Sequence, residues 1–362
     1  MTDTCKRYKF IHFFPYEKFT SPFINFMNSN FDPEEQCFIV FCKIDYVELN
    51  IQNSDNVYYF ESLRQLFKAN LGNTVSFKYA DKIFVHSLFD NMAIALFKYI
   101  RYTSKMNIIF WGAEIQNLKN RETNYKCALL KKLKEYYITN AACIITLVPN
   151  DYQKIIKYIR VKGTHKDGKY PLDEEQHQII NSMDTLKSND PYIILVGNSA
   201  TKTNCHFEVF NILEKYSEEN IQIICPLSYG DVSYREKVIE KGKKVFGNKF
   251  IPLIDYIEYK QYIQLIARST VAIFNNNRQQ ALGNINAALE LETKVYLKKG
   301  TTMWDDYVND KKYVIYDVHS IEESAFSDFL TMNSDDSLLN KNKVQFYNST
   351  DYCVKVWSRL LE

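Results

Sequence analysis

The sequence lacks the cysteine and histidine spacings that indicate a bound metal. Its eight cysteines and six histidines are scattered, with no CxxC pair and no Cys/His cluster at ligand spacing. A disulfide framework is also unexpected in a chain of 362 residues, which favours a reducing cytosol. We therefore expect no metal site, no cofactor and a cytoplasmic location.

No apolar run is long enough to cross a bilayer. The longest runs, such as residues 141–148, fall far short of the about 20 residues that a transmembrane helix needs. The basic N-terminal segment MTDTCKRYKFIHFF lacks the apolar core and small-residue cleavage site of a signal peptide. Any contact with a membrane is therefore expected to be peripheral.

Three further classes of function lack their usual sequence signatures here. The net charge is +2, and no basic-aromatic ladder accompanies the 27 tyrosines and 24 phenylalanines, so nucleic acid is not an expected partner. There is no GxxxxGKS/T motif, which excludes a P-loop NTPase. No GxGxxG follows the first predicted strand of either half, which disfavours a dinucleotide-dependent oxidoreductase.

Short apolar strands alternate with helices along most of the chain. This alternation predicts parallel sheets covered by helices on both faces, an α/β fold. Residues 160–191 interrupt the pattern, because they are polar and rich in glycine and proline, as in an interdomain linker. The predicted organisation is a first domain at 1–164, a linker at 165–190, a second domain at 191–346 and a tail helix at 347–362.

The second half is organised around YIILVGNSATKTNCH, residues 192–206, which predicts a strand, a polar loop and a helix start. In an open α/β sheet, ligands bind at the carboxyl ends of strands. Helix N-termini there favour anions, because free N–H groups and the helix dipole both point at the ligand. A phosphate-bearing ligand is one hypothesis; a plain turn between strand and helix would explain the same residues.

Two more polar loops should open on the same sheet edge. PLSYGDVSY at 226–234 and NNNRQQALGN at 275–284 both follow predicted strands. Arg278 can hold a phosphate bidentately, and Gly283-Asn284 opens a predicted helix, a combination that suits a diphosphate. A surface arginine and a helix-capping asparagine would give the same pattern.

In the first half, the polar candidates lie at or near strand ends: His12, His86, Asp90 and Glu114. A base that activates a hydroxyl would sit at such a position. We predict Glu114, which follows Trp111-Gly112-Ala113, to be that base, with His86 as the alternative. Glu114 could instead cap a helix, and His86 could be a core histidine.

The helix predicted over residues 118–137 is basic, with Lys119, Arg121 and four further lysines. Leu129, Leu130, Leu133 and Tyr137 fall on or near one face of it. A basic amphipathic helix is attracted to anionic lipid, although an ordinary packed helix with a solvated face has the same pattern.

The order of these motifs resembles a known enzyme family. FVHSLFD, FWGAEI, ILVGNSATKTNCH, PLSYGDVSY, RQQALGN and TMWDD are similar in order and interval to the TDP-N-acetylfucosamine:lipid II N-acetylfucosaminyltransferases, the 4-alpha-L-fucosyltransferase type of glycosyltransferase family 56. The motifs most specific to that family are ILVGNS with Asn204 and His206, and RQQ before Gly283. The similarity covers nearly the whole chain, more densely in the second half.

The resemblance implies a GT-B glycosyltransferase. Two Rossmann-like domains would face each other across a cleft, and the C-terminal helix would cross back to the N-terminal domain. A TDP-sugar donor would bind the C-terminal domain, and a polyprenyl-diphosphate-linked saccharide the N-terminal domain, at the cytoplasmic face of the plasma membrane. Positive groups and helix dipoles would replace a metal at the diphosphate.

The resemblance also assigns residues. His12 and Asp90 would contact the acceptor. The donor would be bound by Gly197, Asn198, Ser199, Asn204, His206, Tyr229, Arg278, Gln279, Gln280, Gly283 and Asn284. Ala281-Leu282 separates RQQ from Gly283, a departure from the family that leaves the transferred deoxyamino sugar open. The alternatives are an enzyme with a soluble acceptor and a catalytically silent sugar-nucleotide-binding assembly partner.

Overall fold

A computed structural model describes residues 5–41, 55–69, 71–118 and 124–362, and the chain divides into two units. Unit 1 comprises Met1–Asp173 and Ser349–Glu362, and unit 2 comprises Glu174–Asn348. No helix in the described ranges is both long and apolar enough to cross a membrane.

Unit 1 contains a parallel sheet in which seven described strands follow the order β3-β2-β1-β4-β5-β6-β7. The strands are β1 (Phe10–Pro15), β2 (Gln36–Phe41), β3 (Val57–Phe60), β4 (Lys82–His86), β5 (Met106–Phe110), β6 (Cys143–Thr146) and β7 (Thr164–Asp167). Its helices are α1 (Thr20–Asn30), α2 (Leu63–Lys68), α3 (Asp90–Ala95), α4 (Ala113–Asn117), α5 (Tyr125–Asn140) and α6 (Asp151–Ile156). A 3₁₀ segment, Leu96–Lys105, continues α3.

Helices cover both faces of this sheet, which explains why its central strands are apolar throughout. All six residues of β2 are buried, as expected for a strand with no solvated face. Leu66 of α2, Met92 of α3 and Tyr137 of α5 belong to the core on one face. Phe23 of α1 belongs to the core on the other face, together with Trp357.

Unit 2 contains a parallel sheet in which six described strands follow the order β10-β9-β8-β11-β12-β13. They are β8 (Tyr192–Val196), β9 (Ile221–Pro226), β10 (Phe250–Leu253), β11 (Val271–Phe274), β12 (Lys294–Leu297) and β13 (Tyr316–Asp317). The helices are α7 (Glu174–Asn181), α8 (His206–Leu213), α9 (Val232–Phe246), α10 (Tyr259–Arg268), α11 (Leu282–Glu290), α12 (Thr302–Trp304), α13 (Phe326–Leu330) and α14 (Ser334–Asn348).

The final helix, α15 (Thr350–Leu361), returns to unit 1. Its Trp357 is 1% exposed, and the indole Nε1 donates a hydrogen bond to Lys169 O at 2.8 Å. The range predicted as a linker, 165–190, contains the end of β7 and the whole of α7.

Each sheet reverses its strand order once. In unit 1 the reversal lies between β1 and β4, and in unit 2 between β8 and β11. Connections leave to opposite faces at such a point, so a crevice opens outside the carboxyl ends of the two strands. The sequence candidates in unit 2 follow β8, β9 and β11, on either side of this reversal.

Candidate functional site

The loop after β8 is held by Asn204, which is 1% exposed. Its Nδ2 donates to Ser199 O at 3.0 Å and to Thr201 Oγ1 at 2.8 Å. Its Oδ1 accepts from Asn198 N and from Asn276 Nδ2, both at 3.1 Å. One side chain therefore fixes the loop and ties it to the residues after β11.

The structure brings the three predicted loops together. Ala200 N donates to Tyr229 O at 2.8 Å, which joins the first loop to the second, and Asn277 N donates to Thr203 O at 3.0 Å, which joins the first to the third. This contact follows from the sheet order, because β8 lies between β9 and β11.

Gln280, from the RQQ motif, is a second junction between the loops. Its Nε2 lies within 3.0 Å of Asn198 Oδ1 and 2.9 Å of Ser199 Oγ. Its Oε1 accepts from Thr203 Oγ1 at 2.7 Å. Asn198, Ser199 and Gln280 are therefore hydrogen-bonded to one another, and these predicted donor residues form one connected scaffold.

His206 begins α8 and is fully buried. Its Nδ1 lies 3.2 Å from Tyr234 Oη, while Nε2 has no hydrogen-bond partner among the described residues. Burial lowers its pKa to about 4, so the ring is neutral at pH 7. Gly197 has φ +71° and faces this ring: a Cβ there would lie 2.7 Å from Nε2. A side chain at residue 197 would collide with the ring, so this close packing of the loop on His206, at a positive φ, requires glycine.

The remaining donor candidates lie around this scaffold. Tyr229 is 58% exposed, and its Oη accepts from Asn198 Nδ2 at 2.8 Å. Arg278 is half-buried, and its Nη1 donates to Gln279 O at 2.8 Å. Gly283 is exposed in the first turn of α11. Asn284 does not cap that helix, since Ala281 is at the N-cap; its Nδ2 donates to Tyr262 Oη at 3.0 Å.

Sequence reasoning missed a charged cluster beside this edge. Glu208 Oε2 accepts from Asn275 Nδ2 at 2.9 Å and from Lys298 Nζ at 2.7 Å, and His319 Nε2 lies 3.0 Å from Glu208 Oε1. Burial acts to raise the Glu208 pKa, but these neighbours outweigh it and the pKa is lowered. Lys298 directly follows β12 and His319 lies just after β13. Both could have been found from the sequence as polar residues that follow a strand, the signal that also identifies the three loops.

In unit 1, Glu114 lies in the first turn of α4, just beyond β5. It is 6% exposed; its Oε1 accepts from Trp111 N at 3.3 Å and Leu88 N at 3.4 Å. Oε2 has no hydrogen-bond partner in the described ranges. Burial raises the pKa of Glu114 above its usual value, against several hydrogen bonds that lower it.

A pocket of about 120 Å³ opens beside Glu114. Leu130, Lys131 and Lys134 of α5 line it, together with Asp90. The Asp90 side chain is 65% exposed and pairs with Lys134. Nearby, Ser87 has φ +72° immediately after β4, a conformation that costs energy in a non-glycine residue and often occurs at functional sites.

His86 and His12 are not at a surface. Both are fully buried, and His86 Nε2 lies 3.0 Å from His12 Nδ1. His12 Nε2 lies 3.0 Å from Gln36 Oε1, and His86 Nδ1 bonds Tyr170 Oη. Both nitrogens of each ring are hydrogen-bonded to protein groups, and neither ring lines the pocket beside Glu114, which argues against His86 as the base and against His12 as an acceptor contact. They act as core histidines.

Protonation of these buried histidines should make stability depend on pH. Burial lowers the pKa of His12 to about 3 and that of His206 to about 4, and it also lowers the pKa of His86. Below about pH 6.5 the unfolded chain binds protons that the folded chain does not. Each histidine should therefore reduce the free energy of unfolding by about 1.4 kcal/mol per pH unit as pH falls from 6.5 toward its folded pKa.

Urea unfolding at pH 7 and pH 5 measures this loss. Glu114 and Glu290 oppose it, because burial raises their pKa values and the folded chain protonates them first. His206→Gln should flatten the slope, because it removes one of the buried histidines that gain a proton only on unfolding. Equal stability of the wild type at both pH values would contradict the prediction.

The described residues contain no group of three or more His, Cys, Asp or Glu side chains that could hold a metal ion. Residues 19–362 match the family described as 4-alpha-L-fucosyltransferase, glycosyl transferase group 56. The chain belongs to this family. It is a fucosyltransferase-type glycosyltransferase, and as such binds a nucleotide-sugar donor and an acceptor.

Solved structures give the same fold. A trehalose 6-phosphate synthase from Burkholderia multivorans is 10% identical, with a TM-score of 0.64 over 98% of each chain. A sucrose-phosphate synthase from Thermosynechococcus elongatus is 10% identical, with a TM-score of 0.67 over 97% of each chain. The N-terminal domain of a Candida albicans trehalose-6-phosphate phosphatase has a TM-score of 0.66 at 10% identity, over 98% of this chain and 96% of that one. The predicted GT-B class is confirmed.

Proposed function

We propose that this glycosyltransferase transfers a deoxyamino sugar of the N-acetylfucosamine type from a TDP-sugar to a polyprenyl-diphosphate-linked saccharide, in the synthesis of a bacterial surface polysaccharide such as enterobacterial common antigen. The main support for donor binding is the cluster of three polar loops beside the strand reversal of unit 2. Family membership and the motif resemblance support the sugar and acceptor classes. The enzyme would work as a peripheral protein at the cytoplasmic face of the plasma membrane.

The donor's diphosphate would lie where positive charge and helix N-termini converge. Arg278 offers a planar fork of donors, and α11 begins four residues later. The N-terminus of α8 opens on the same edge of the sheet. Such fixed positive groups stabilise the negative charge that builds up on the leaving diphosphate.

The scaffold residues would shape the rest of the donor pocket. Asn198, Ser199, Asn204 and Gln280 use their hydrogen bonds on each other, so their main contribution is a preformed loop geometry. Tyr229 presents an exposed ring that can cover the base or the sugar. His206, fully buried against Gly197, would shape the pocket from beneath the loop.

Glu114 would act as the base. A carboxylate whose pKa is raised by burial accepts a proton more readily than an exposed one. Its Oε2, which is buried and has no hydrogen-bond partner among the described residues, would take the proton of the acceptor hydroxyl while that oxygen attacks the anomeric carbon. The bond to the nucleoside diphosphate breaks in the same displacement, and the leaving group keeps the electron pair. Asp90, exposed at the pocket rim, would contact the acceptor.

A thermal-shift screen against TDP-, UDP- and GDP-sugars tests the donor assignment. A ligand that binds the folded state raises its stability by RT ln(1 + [L]/Kd), about 2.7 kcal/mol at a hundredfold excess over Kd. We expect a shift with TDP-sugars that exceeds the shift with the other two. No shift with any of them would overturn the donor proposal, and turnover of a soluble acceptor without lipid would overturn the acceptor proposal.

A further inference from the structure

Three neighbouring segments of unit 1 expose large apolar side chains: α2, α3 with its 3₁₀ continuation, and α5. Their inner sides pack into the core on one face of the sheet. Their outer sides carry Phe67, Ile94, Phe97, Tyr125, Leu129 and Tyr136, which are 37% to 82% exposed. We call this outer side the apolar-basic surface.

On α5 the exposed residues form one stripe. Tyr125, Leu129, Lys132 and Tyr136 follow each other at spacings of about one helical turn, and all four are exposed. Leu130, Leu133 and Tyr137 point the other way, into the core. Leu129 therefore does not share the packed face, contrary to the sequence expectation. Lys119 and Arg121, also predicted in this helix, lie outside the described residues.

The segment that follows β4 repeats the arrangement. Ile94 and Phe97 are 38% and 60% exposed, and Lys98 and Arg101 lie beside them on the same outer side. Lys98 Nζ donates to Phe67 O at 3.2 Å, so α2 adjoins this stripe. The apolar side chains of the three segments therefore belong to one continuous helix layer.

This helix layer carries many more basic than acidic residues. The acidic residues within the three segments are Asp90 and Glu135, and Asp90 pairs with Lys134. The basic residues are Arg64, Lys68, Lys98, Arg101, Lys105, Lys126, Lys131, Lys132 and Lys134. The protein as a whole has a net charge of only +2, so the excess is local.

We propose that the apolar-basic surface docks onto an anionic lipid bilayer. Interleaved aromatic, aliphatic and basic side chains suit the headgroup region, where apolar groups leave water and each cation meets anionic lipid. A second copy of the chain fits less well, because a two-fold interface would oppose like charges. The helix α5 also lines the Glu114 pocket, so docking would bring that pocket to the bilayer. This link to a lipid-linked acceptor rests on the proposed function, which the docking surface extends.

Vesicle co-sedimentation of the full chain tests the surface without any sugar substrate. With phosphatidylglycerol-containing vesicles, Phe97→Ser/Leu129→Ser should weaken binding at least about ten-fold at every salt concentration. Lys126→Glu/Lys132→Glu should weaken it at least about 25-fold at low salt, and wild-type binding should fall as salt rises. Pure phosphatidylcholine vesicles should bind the wild type more weakly than anionic ones.

Matched controls lie in unit 2, where Leu338 and Phe346 are 54% and 60% exposed and Lys243 and Lys244 are exposed. Leu338→Ser/Phe346→Ser and Lys243→Glu/Lys244→Glu should bind vesicles like the wild type. Equal binding by surface and control variants would overturn the proposal. So would surface variants that change the oligomeric state in sedimentation velocity but not vesicle binding. Donor binding is measured separately by thermal shift. A chain that binds a TDP-sugar but not vesicles would therefore contradict the docking proposal alone, and a chain that binds vesicles but no sugar nucleotide would contradict the proposed function alone.

Discussion

Glu114→Gln should lower kcat by about 10²- to 10⁴-fold, the usual contribution of a general base, while the donor Kd stays unchanged. Glutamine keeps the shape of the side chain and can still accept hydrogen bonds from Trp111 N and Leu88 N through its amide oxygen. It cannot take the proton of the acceptor hydroxyl. The fold should survive, because removing a buried charge with an unpartnered oxygen relieves a desolvation cost.

The matched control for this change is Glu135→Gln. Glu135 lines the same pocket from α5, so a role in general pocket electrostatics would make both variants lose similar activity. We expect Glu135→Gln to keep nearly full kcat. Wild-type activity should fall as the pH drops through the raised pKa of Glu114, since only the carboxylate accepts a proton. A Glu114→Gln enzyme with wild-type kcat would refute the assignment.

Arg278→Ala should raise the donor Kd by about 10- to 150-fold, which corresponds to the roughly 1.5–3 kcal/mol of a charged hydrogen bond. Arg278 is half-buried and sits between Asn277, which joins the first loop, and Gln279. Its guanidinium can bond two diphosphate oxygens at once, so Arg278→Lys should recover only part of the affinity. Isothermal titration with a TDP-sugar measures both variants.

Arg268→Ala is the control for a general charge effect. Arg268 is exposed at the end of α10, just before β11 begins, and therefore at the opposite edge of the sheet from the three loops. Its loss should leave the donor Kd unchanged. Unfolding temperatures without ligand should match among all variants. A donor Kd that Arg278→Ala does not alter would remove Arg278 from the diphosphate site.

The two variants separate the two halves of the proposed reaction. Arg278→Ala should act on donor binding in unit 2, and Glu114→Gln on the chemical step from unit 1. If both raised the donor Kd without lowering kcat at saturating donor, Glu114 would be a binding residue. The base would then have to be another group near the pocket, and buried His86 is a poor replacement because its ring contacts only protein groups.

The sequence alone was sufficient to predict which loops share one edge of the sheet. Parallel strands place their carboxyl ends on one edge, so the polar segments after β8, β9 and β11 had to open on the same edge. That they touch follows from the strand order, in which β8 lies between β9 and β11. The alternation of strands and helices likewise determined the α/β class. These are local properties: each depends on the periodicity of a short segment and on the direction that parallel pairing imposes on it.

Only the tertiary structure decided what surrounds each polar residue. His86 and Glu114 look alike in the sequence and both are buried, but His86 is hydrogen-bonded to His12 and to Tyr170, 84 residues away, and stacks with Trp357 of the tail helix. Glu114 instead lines a pocket and has an oxygen without a partner among the described residues. Leu129 looks like Leu130, yet one faces outward and the other inward. Whether a side chain is covered depends on elements distant in the chain, and no local pattern contains that information. The motifs thus determined where a site could form, and packing determined which side chains can act in it.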